Sequence, residues 1–239
     1  MDKSEYINES RDNYMCTNTC NTSCLNLLDP APYFQAESTF GKVKLTDYAG
    51  KWLILFSHPH AFTPVCSTEF IAFANLYPEF RKRNCCLLGL SIDSNASHLE
   101  WVNDLKKVSQ VEIPFPIIAD TDMKIAKAYN MISPNASNTS TVRNVYVICP
   151  EQKIQCILSY PMNIGRNIVE ILRILDALQI SRKENVLTPA NWVPGLQTLL
   201  PPPKTQCEMF NRINNPNDLI SCSLPYLCYT QNKKLNMTK

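Results

Sequence analysis

The sequence predicts an α/β protein in which a mixed central β-sheet is flanked by helices, with a smaller region towards the C-terminus. Continuous apolar runs, such as residues 52–56, are typical of strands buried on both faces. Segments with apolar residues at helical spacing alternate with these runs, which predicts parallel strands joined by helices. Two further strands are separated only by a turn at residues 150–153, which predicts an antiparallel pair in the same sheet.

The first elements follow a polar segment, residues 1–24, that lacks apolar periodicity and is predicted to be a disordered tail. Residues 43–48 alternate between apolar and polar side chains and are predicted to begin the sheet, followed by the buried strand at 52–56. Between residues 70 and 80 the apolar positions recur at helical spacing, with a kink expected at Pro78.

The later elements are predicted from the same two periodicities. They are strands at 85–92, 115–119, 145–148 and 154–160, helices at 97–108, 122–129 and 168–178, and a loop at 135–141. A mixed sheet with helices on both faces is the thioredoxin-like arrangement, which we assign to residues 25–187. Beyond it prolines become frequent and periodicity fades, so residues 188–239 are predicted to form the smaller C-terminal region.

Composition excludes several classes of protein. The 239 residues carry a formal charge of +2 without a basic block, so no nucleic-acid partner is expected. No apolar run approaches the roughly 18 residues that cross a bilayer, so no stable membrane insertion is expected. The N-terminus lacks the basic and apolar parts of a secretory signal, which favours a cytoplasmic location.

The eleven cysteines are expected to be reduced thiols, because the chain is long enough to bury an apolar core without a disulfide framework and shows no export signal. Cys16, Cys20 and Cys24 lie four residues apart in the tail, where a helix would place them on one face. Their Thr and Asn neighbours are poor helix formers and no His accompanies them. Neither a metal site nor a cofactor is predicted.

One cysteine differs from the others in its surroundings. The segment SHPHAFTPVCSTE joins a buried strand to a helix and places Cys66 near the first turn of that helix. Backbone N–H groups at a helix N-terminus and a nearby cation favour the nucleophilic thiolate. Pro59 and Pro64 stiffen the loop, while the Thr63 hydroxyl can donate to the sulfur or to an incoming oxygen. This arrangement suits attack on a peroxide.

Pro59, Thr63 and Cys66 reproduce the pattern Pro-x-x-x-Thr-x-x-Cys, and in this strand, loop and helix context the sequence resembles the peroxiredoxin family. The catalytic arginine of that family corresponds to Arg143, at the start of a later strand. The resemblance implies that the Cys66 thiolate attacks a peroxide oxygen and becomes a sulfenic acid, while Arg143 and Thr63 stabilise the leaving oxygen. It implies hydrogen peroxide and organic hydroperoxides, phospholipid hydroperoxides among them, as substrates.

The resemblance is stronger to the one-cysteine, peroxiredoxin 6-like branch and covers about residues 25–230, including FSHP, LSIDS, YPMNIGRN, TPANW and LPYLCYT. It implies that His58 lies beside the sulfur, that Glu69 orients the arginine and that Arg166 adds a second positive charge. A loop-filling role for His58 and a surface ion pair for Arg166 are the alternatives. His60 is expected to be exposed. The branch also implies a homodimer.

The other cysteines are expected to have different roles. Four lie within or beside predicted strands and are expected to pack in the core: Cys85, Cys86, Cys149 and Cys156. The Val-Cys-Pro tripeptide that carries the resolving cysteine of two-cysteine peroxiredoxins is missing, so an external thiol of the glutathione type or another is expected to reduce the sulfenic acid. A resolving role stays open for three C-terminal residues: Cys207, Cys222 and Cys228.

Members of this branch can also carry a phospholipase A2 activity that needs a serine, a histidine and an aspartate. The corresponding positions hold Lys51, Thr46 and Glu151. Because a serine hydrolase needs both its nucleophile and its base, no phospholipase activity is predicted by that mechanism.

Two further functions compete with the peroxidase. A redox sensor or holdase-type binding protein would keep the reactive Cys66 but turn over poorly, and turnover with a supplied thiol distinguishes it from an enzyme. A disulfide reductase is disfavoured, because that chemistry requires Cys-x-x-Cys at a helix start and the chain has none.

Overall fold

The computed structural model describes residues 25–133, 140–214 and 220–230. The predicted disordered tail with its three cysteines lies outside these residues, as does most of the predicted loop at 135–141. The boundary between residues 187 and 188 stays a prediction.

A seven-stranded sheet forms the centre of the fold, in the order β2-β1-β5-β4-β3-β6-β7. Its strands are β1 (Gln35–Ser38), β2 (Gly41–Lys44), β3 (Trp52–Ser57), β4 (Cys85–Ser91), β5 (Ile117–Ala119), β6 (Arg143–Ile148) and β7 (Ile154–Tyr160). β3, β4 and β5 run parallel, whereas β6 is antiparallel to β3 and β7 is antiparallel to β6. The predicted mixed sheet is confirmed.

Helices cover both faces of this sheet. They are α1 (Pro64–Lys82), α2 (Asn95–Ser109), α3 (Lys124–Ala128) and α4 (Ile168–Glu184). All six residues of β3 are buried. Ile54 and Phe56 pack in a cluster with side chains of α1, α2 and α4, whereas Leu53 and Leu55 pack in a second cluster with side chains of α3. The two-residue period of the strand therefore divides one apolar run between two cores.

The prediction of a strand over residues 43–48 is wrong for its second half. β2 ends at Lys44, and Leu45–Tyr48 form a 3-10 turn. The Asp47 carboxylate accepts the Lys44 N–H at 2.9 Å, which stabilises the turn at this point. The short strand β1 lies outside every predicted strand, because its sequence QAES is largely polar and gives no apolar alternation.

The predicted helix after the Cys66 loop is observed as α1, which continues through Pro78 to Lys82. The proline therefore does not end the helix. α4 likewise extends beyond its predicted apolar positions, to Glu184. Among the described residues, no helix combines the length and apolar character needed to cross a bilayer.

The C-terminal region is more ordered than predicted. It contains α5 (Gln206–Asn214) and a three-stranded sheet in the order β8-β10-β9, formed by β8 (Thr198–Leu199), β9 (Ile220–Leu224) and β10 (Leu227–Thr230). The pattern is weak in the sequence because α5 buries none of its side chains.

A disulfide joins Cys222 to Cys228, so the expectation that all cysteines are reduced is wrong for this pair. The two residues face each other across β9 and β10, with Cα atoms 4.0 Å apart. The core cysteines behave as predicted: Cys85 and Cys149 are buried, and Cys86 and Cys156 are half-buried against the apolar clusters.

Candidate active site

Cys66 lies in the first turn of α1, at the carboxyl end of the central strand β3. Thr63 is the N-cap residue of this helix and Pro64 is its first residue, a position where the missing N–H of proline removes no hydrogen bond. Cys66 is the third helical residue, where backbone N–H groups point out of the helix end and favour a negative charge. Its side chain is buried. The strand, loop and helix predicted around this cysteine are confirmed.

Arg143 provides the cation for this cysteine. It is the first residue of β6, the antiparallel neighbour of β3, so its side chain reaches the loop that follows β3. The Arg143 Nη1 atom lies 3.2 Å from the Cys66 sulfur and 2.8 Å from Glu69 Oε2. The Nε and Nη2 atoms both donate to the Met162 carbonyl, at 2.9 and 2.7 Å. Three partners therefore fix the plane of the guanidinium.

Glu69 connects Arg143 to a second arginine. It follows Cys66 by three residues, so both side chains lie on one face of α1. Its two oxygens accept from Arg166 Nε and Nη2, at 2.9 and 2.7 Å. Arg166 Nη1 also donates to the carbonyls of Ser57 and Asn144, at 2.8 and 3.2 Å. The alternative of a surface ion pair for Arg166 is wrong, because this residue is only 6% exposed.

The charged side chains beside Cys66 form a buried cluster. Cys66, Glu69, Arg143 and Arg166 are each at most 6% exposed. Burial lowers the pKa of the Arg166 guanidinium while Glu69 opposes this effect, and a guanidinium stays charged in proteins. Two guanidinium groups against one carboxylate leave a net positive charge in this buried cluster. Negative charge that develops around the Cys66 sulfur therefore lies next to a fixed cation.

The Thr63 hydroxyl donates its proton to the loop that precedes α1. Its single proton goes to the His60 carbonyl at 2.9 Å, since a carbonyl can only accept. Its lone pairs therefore remain for a donor such as a peroxide O–H. The expected donation from Thr63 to the sulfur does not fit this geometry. Phe62, between His60 and Thr63 in the chain, has a φ of 58°. This left-handed conformation is unfavourable for a residue with a side chain.

Asp93 holds the loop in this conformation. One carboxylate oxygen accepts the Ala61 N–H at 2.7 Å, and the other lies 3.0 Å from His60 Nδ1. His60 Nε2 lies 2.5 Å from the Ser140 hydroxyl. The expectation that His60 is merely exposed is wrong, because it is half-buried and bonded on both nitrogens. Pro59, just before it, is buried.

His58 is fully buried and does not join the polar cluster. Its ring packs against Phe70, His98 and Trp101, with ring centroids 4.8, 5.7 and 5.2 Å away. Neither ring nitrogen has a hydrogen-bond partner among the described residues. Burial, followed by the positive charges nearby, lowers the pKa of His58 well below its ordinary value, so the imidazole is neutral. Its implied place beside the sulfur stays a prediction.

Comparison with known proteins identifies the family. The model of the AhpC/TSA family matches residues 27–157, and the model of the C-terminal domain of 1-Cys peroxiredoxin matches residues 177–212. A peroxiredoxin 2 from Caldanaerobacter subterraneus is 57% identical over 200 residues, which cover 84% of this chain and 90% of the relative. The chain belongs to the peroxiredoxin family. As a peroxiredoxin it is a thiol-dependent peroxidase, an oxidoreductase.

Solved structures of peroxiredoxins agree in fold. A yeast mitochondrial 1-Cys peroxiredoxin, studied for thiol resolution through glutathione and thioredoxin systems, matches with a TM-score of 0.77 and 42% identity, over 87% of this chain and 99% of that chain. Peroxiredoxin 6 from Arenicola marina matches with a TM-score of 0.77 and 37% identity, over 87% and 98% of the two chains. The thioredoxin-like fold expected from the sequence is confirmed.

The structure also shows contributors to this peroxiredoxin site that sequence reasoning missed. The Met162 carbonyl orients Arg143 through the backbone, and no side-chain pattern signals it. The Ser57 hydroxyl donates to the Val142 carbonyl at 2.5 Å and accepts the Asn144 N–H at 3.2 Å, which ties β3 to the strand of Arg143. Asp93 belongs to the segment LSIDS, whose resemblance to the family gave the only signal.

Proposed function

We propose that this peroxiredoxin works by a one-cysteine mechanism in which Cys66 is the peroxidatic nucleophile and an external thiol completes the cycle. The observation that carries the proposal is the 3.2 Å contact between Arg143 Nη1 and the Cys66 sulfur inside a buried cluster. Among the cysteines in the described residues, this one combines a helix N-terminus with a fixed cation.

In the first half of the cycle, the Cys66 thiolate attacks the nearer oxygen of the peroxide. The S–O bond forms as the O–O bond breaks, and the leaving oxygen departs as hydroxide or alkoxide and takes up a proton, giving water or an alcohol. Thr63 accepts a hydrogen bond from the peroxide, and Arg143 donates to the oxygen that gains charge. Cys66 is left as a sulfenic acid.

In the second half, an external thiol attacks the sulfenic sulfur, which releases water and forms a mixed disulfide. A second thiol then restores Cys66 and carries away the disulfide. Cys222 and Cys228 are already joined to each other, and Cys207 is the exposed free thiol in the described part of the chain. The match to the C-terminal domain of 1-Cys peroxiredoxin supports an external reductant, and glutathione or thioredoxin is proposed by analogy with the yeast relative.

Exposed apolar side chains close in sequence to the site residues support organic hydroperoxides as substrates, in addition to hydrogen peroxide. Phe62 is 56% exposed beside the loop residues that Asp93 contacts, while Met162 and Ile164 are 39% and 49% exposed in the segment whose Met162 carbonyl orients Arg143. Exposed apolar side chains of this kind favour alkyl chains. Phospholipid hydroperoxides are the extreme case of such a substrate.

Homodimer formation and a cytoplasmic location complete the proposal. Analytical ultracentrifugation of the pure protein tests the first, with twice the chain mass expected. Microscopy of the full chain carrying a fluorescent tag tests the second, with diffuse cytoplasmic signal expected. A monomer, or confinement to an organelle, would remove the respective part of the proposal.

Turnover with a supplied thiol tests the mechanism. We expect many equivalents of hydrogen peroxide to be consumed per chain in excess glutathione, and no consumption above background by Cys66→Ser. A matched control is Cys207→Ser, which should cycle like the unmodified protein. Oxidation of one equivalent without cycling, with each of several thiols, would instead indicate a redox sensor or holdase-type protein.

A further inference from the structure

We propose that His58, Asp93 and His98 form a binding site for a divalent transition metal such as Zn2+. One ligand atom from each residue lies within 4.8 Å of the others. The three come from separate parts of the fold: His58 follows β3, Asp93 lies between β4 and α2, and His98 lies in the first turn of α2. This site uses none of the atoms that contact Cys66, and it does not rest on the proposed function.

The unpaired nitrogen atoms of His58 point to a missing ligand. His58 and His98 are both fully buried. Neither nitrogen of His58, nor His98 Nδ1, has a hydrogen-bond partner among the described residues. Buried polar atoms are normally paired, so each such atom needs an explanation. A metal ion would satisfy one of the His58 nitrogens through its lone pair, whereas the phenyl ring of Phe70 offers no N–H or O–H donor.

The protonation states suit a metal. Burial lowers the pKa of His98 to about 4 and lowers that of His58 as well, so both imidazoles offer lone pairs at neutral pH. Burial alone would raise the pKa of Asp93, but hydrogen bonds from Ala61, His60 and Ser91 lower it below its ordinary value. Two neutral imidazoles and one carboxylate are a ligand set for Zn2+ or Co2+ that leaves a position for water.

The present geometry needs a small contraction to hold the ion. His98 Nε2 lies 2.7 Å from the Ser91 hydroxyl and 3.9 Å from Asp93 Oδ2. Bonds to Zn2+ of about 2.0–2.2 Å bring ligand atoms closer together than 4.8 Å, so the contact with Ser91 gives way to the metal. Phe70 and Trp101 already fix the plane of the His58 ring.

Metal binding should change the position of the loop over residues 58–63, which precedes Cys66 and carries Thr63. The Asp93 carboxylate is hydrogen-bonded to the Ala61 N–H and to the His60 ring. The His60 carbonyl in turn accepts a hydrogen bond from the Thr63 hydroxyl. A metal that draws Asp93 towards His58 therefore changes the support of the loop before Cys66. We expect the zinc-loaded protein to reduce peroxide more slowly than the metal-free protein.

Titration of the reduced full chain with Co2+ tests the site directly. The tail cysteines are first replaced (C16S, C20S, C24S), because thiolates are competing ligands. We expect one equivalent to bind with visible d–d bands and without thiolate-to-cobalt charge transfer, and Zn2+ to displace it. Binding should weaken about tenfold or more in both His98→Gln and His58→Gln. His60→Gln is the matched control: its amide N–H can still donate to the Asp93 carboxylate, so it should bind as before.

Circular dichroism establishes which variants are folded. If one of His58→Gln and His98→Gln fails to fold, the Co2+ affinity of the other one tests the site. The proposal is overturned if the parent protein binds no Co2+, or if binding survives in a folded His58→Gln or His98→Gln. It is also overturned if only His60→Gln loses binding, or if charge-transfer bands show a cysteine ligand.

Discussion

Arg143 and Glu69 meet through a 2.8 Å contact between Nη1 and Oε2, and the same Nη1 atom lies 3.2 Å from the Cys66 sulfur. The carboxylate thus sets the position of the cation beside the proposed nucleophile. Both side chains are almost completely buried. We therefore expect the reactivity of Cys66 to depend on Glu69, whose carboxylate contacts both arginines.

Replacing Arg143 by Lys should slow the oxidation of Cys66 by about 100-fold. An ammonium keeps the charge, but it cannot hold Met162, Glu69 and the sulfur in one plane. Stopped-flow measurement of hydrogen peroxide reduction in a single turnover gives the rate. Arg182→Lys, in an exposed pair with Glu151, is the control and should be unchanged. A rate within twofold of the parent for Arg143→Lys would remove the arginine from the mechanism.

Glu69→Gln should lower both stability and rate. It leaves two buried guanidinium groups without their carboxylate, and loss of one partner of a buried ion pair costs about 3 kcal/mol or more. Urea unfolding measures the free energy, and stopped-flow measurement gives the rate of the folded fraction. Glu79→Gln, in a more exposed pair on the same helix, should have a clearly smaller effect on stability and none on the rate. Equal effects of the two substitutions would contradict the positioning role of Glu69.

Thr63→Val should reduce the rate of peroxide reduction by about tenfold or more, whereas Thr63→Ser should retain most of it. Valine has the shape of threonine but offers no lone pair to the peroxide and no proton to the His60 carbonyl. Second-order rate constants of the two variants supply the comparison. Similar constants would show that the hydroxyl has no part in the reaction.

The pure protein should release no fatty acid from phosphatidylcholine liposomes without Ca2+. By the family resemblance, Lys51, Thr46 and Glu151 correspond to the nucleophile, base and acid. All three are exposed, and Glu151 is paired with Arg182. Chromatography of the liposome lipids measures the release, with a peroxiredoxin that has the serine as positive control. Measurable release that persists in Cys66→Ser would mean that another nucleophile performs the hydrolysis.

The local parts of this fold and site could be predicted from the sequence because they depend on neighbours in the chain. The buried strand β3, the helix α1 and the place of Cys66 at the start of that helix follow from apolar periodicity and from two prolines. β1 is short and polar, and sheet pairing rather than sequence pattern makes it a strand. The disulfide between Cys222 and Cys228 likewise could not be predicted from the sequence pattern, because it depends on the register of β9 and β10.

The contacts that complete the site join distant residues, and residue type alone does not give them. Glu69 and Arg166 are 97 residues apart, and Asp93 and Ala61 are 32 apart. Resemblance to the family supplied Glu69 and Arg166 as candidates, but their shared carboxylate and their burial emerge only from the fold. The Met162 carbonyl is a backbone group, so no residue type marks it in advance.

Trapping of the sulfenic acid tests the central claim most directly. The reduced protein is treated with one equivalent of hydrogen peroxide in the presence of dimedone, digested and analysed by mass spectrometry. We predict a single adduct on Cys66, no adduct in Cys66→Ser and a weak one in Arg143→Ala. Trapping on a different cysteine, or a disulfide between Cys66 and another cysteine of the same or a second chain, would contradict the one-cysteine mechanism.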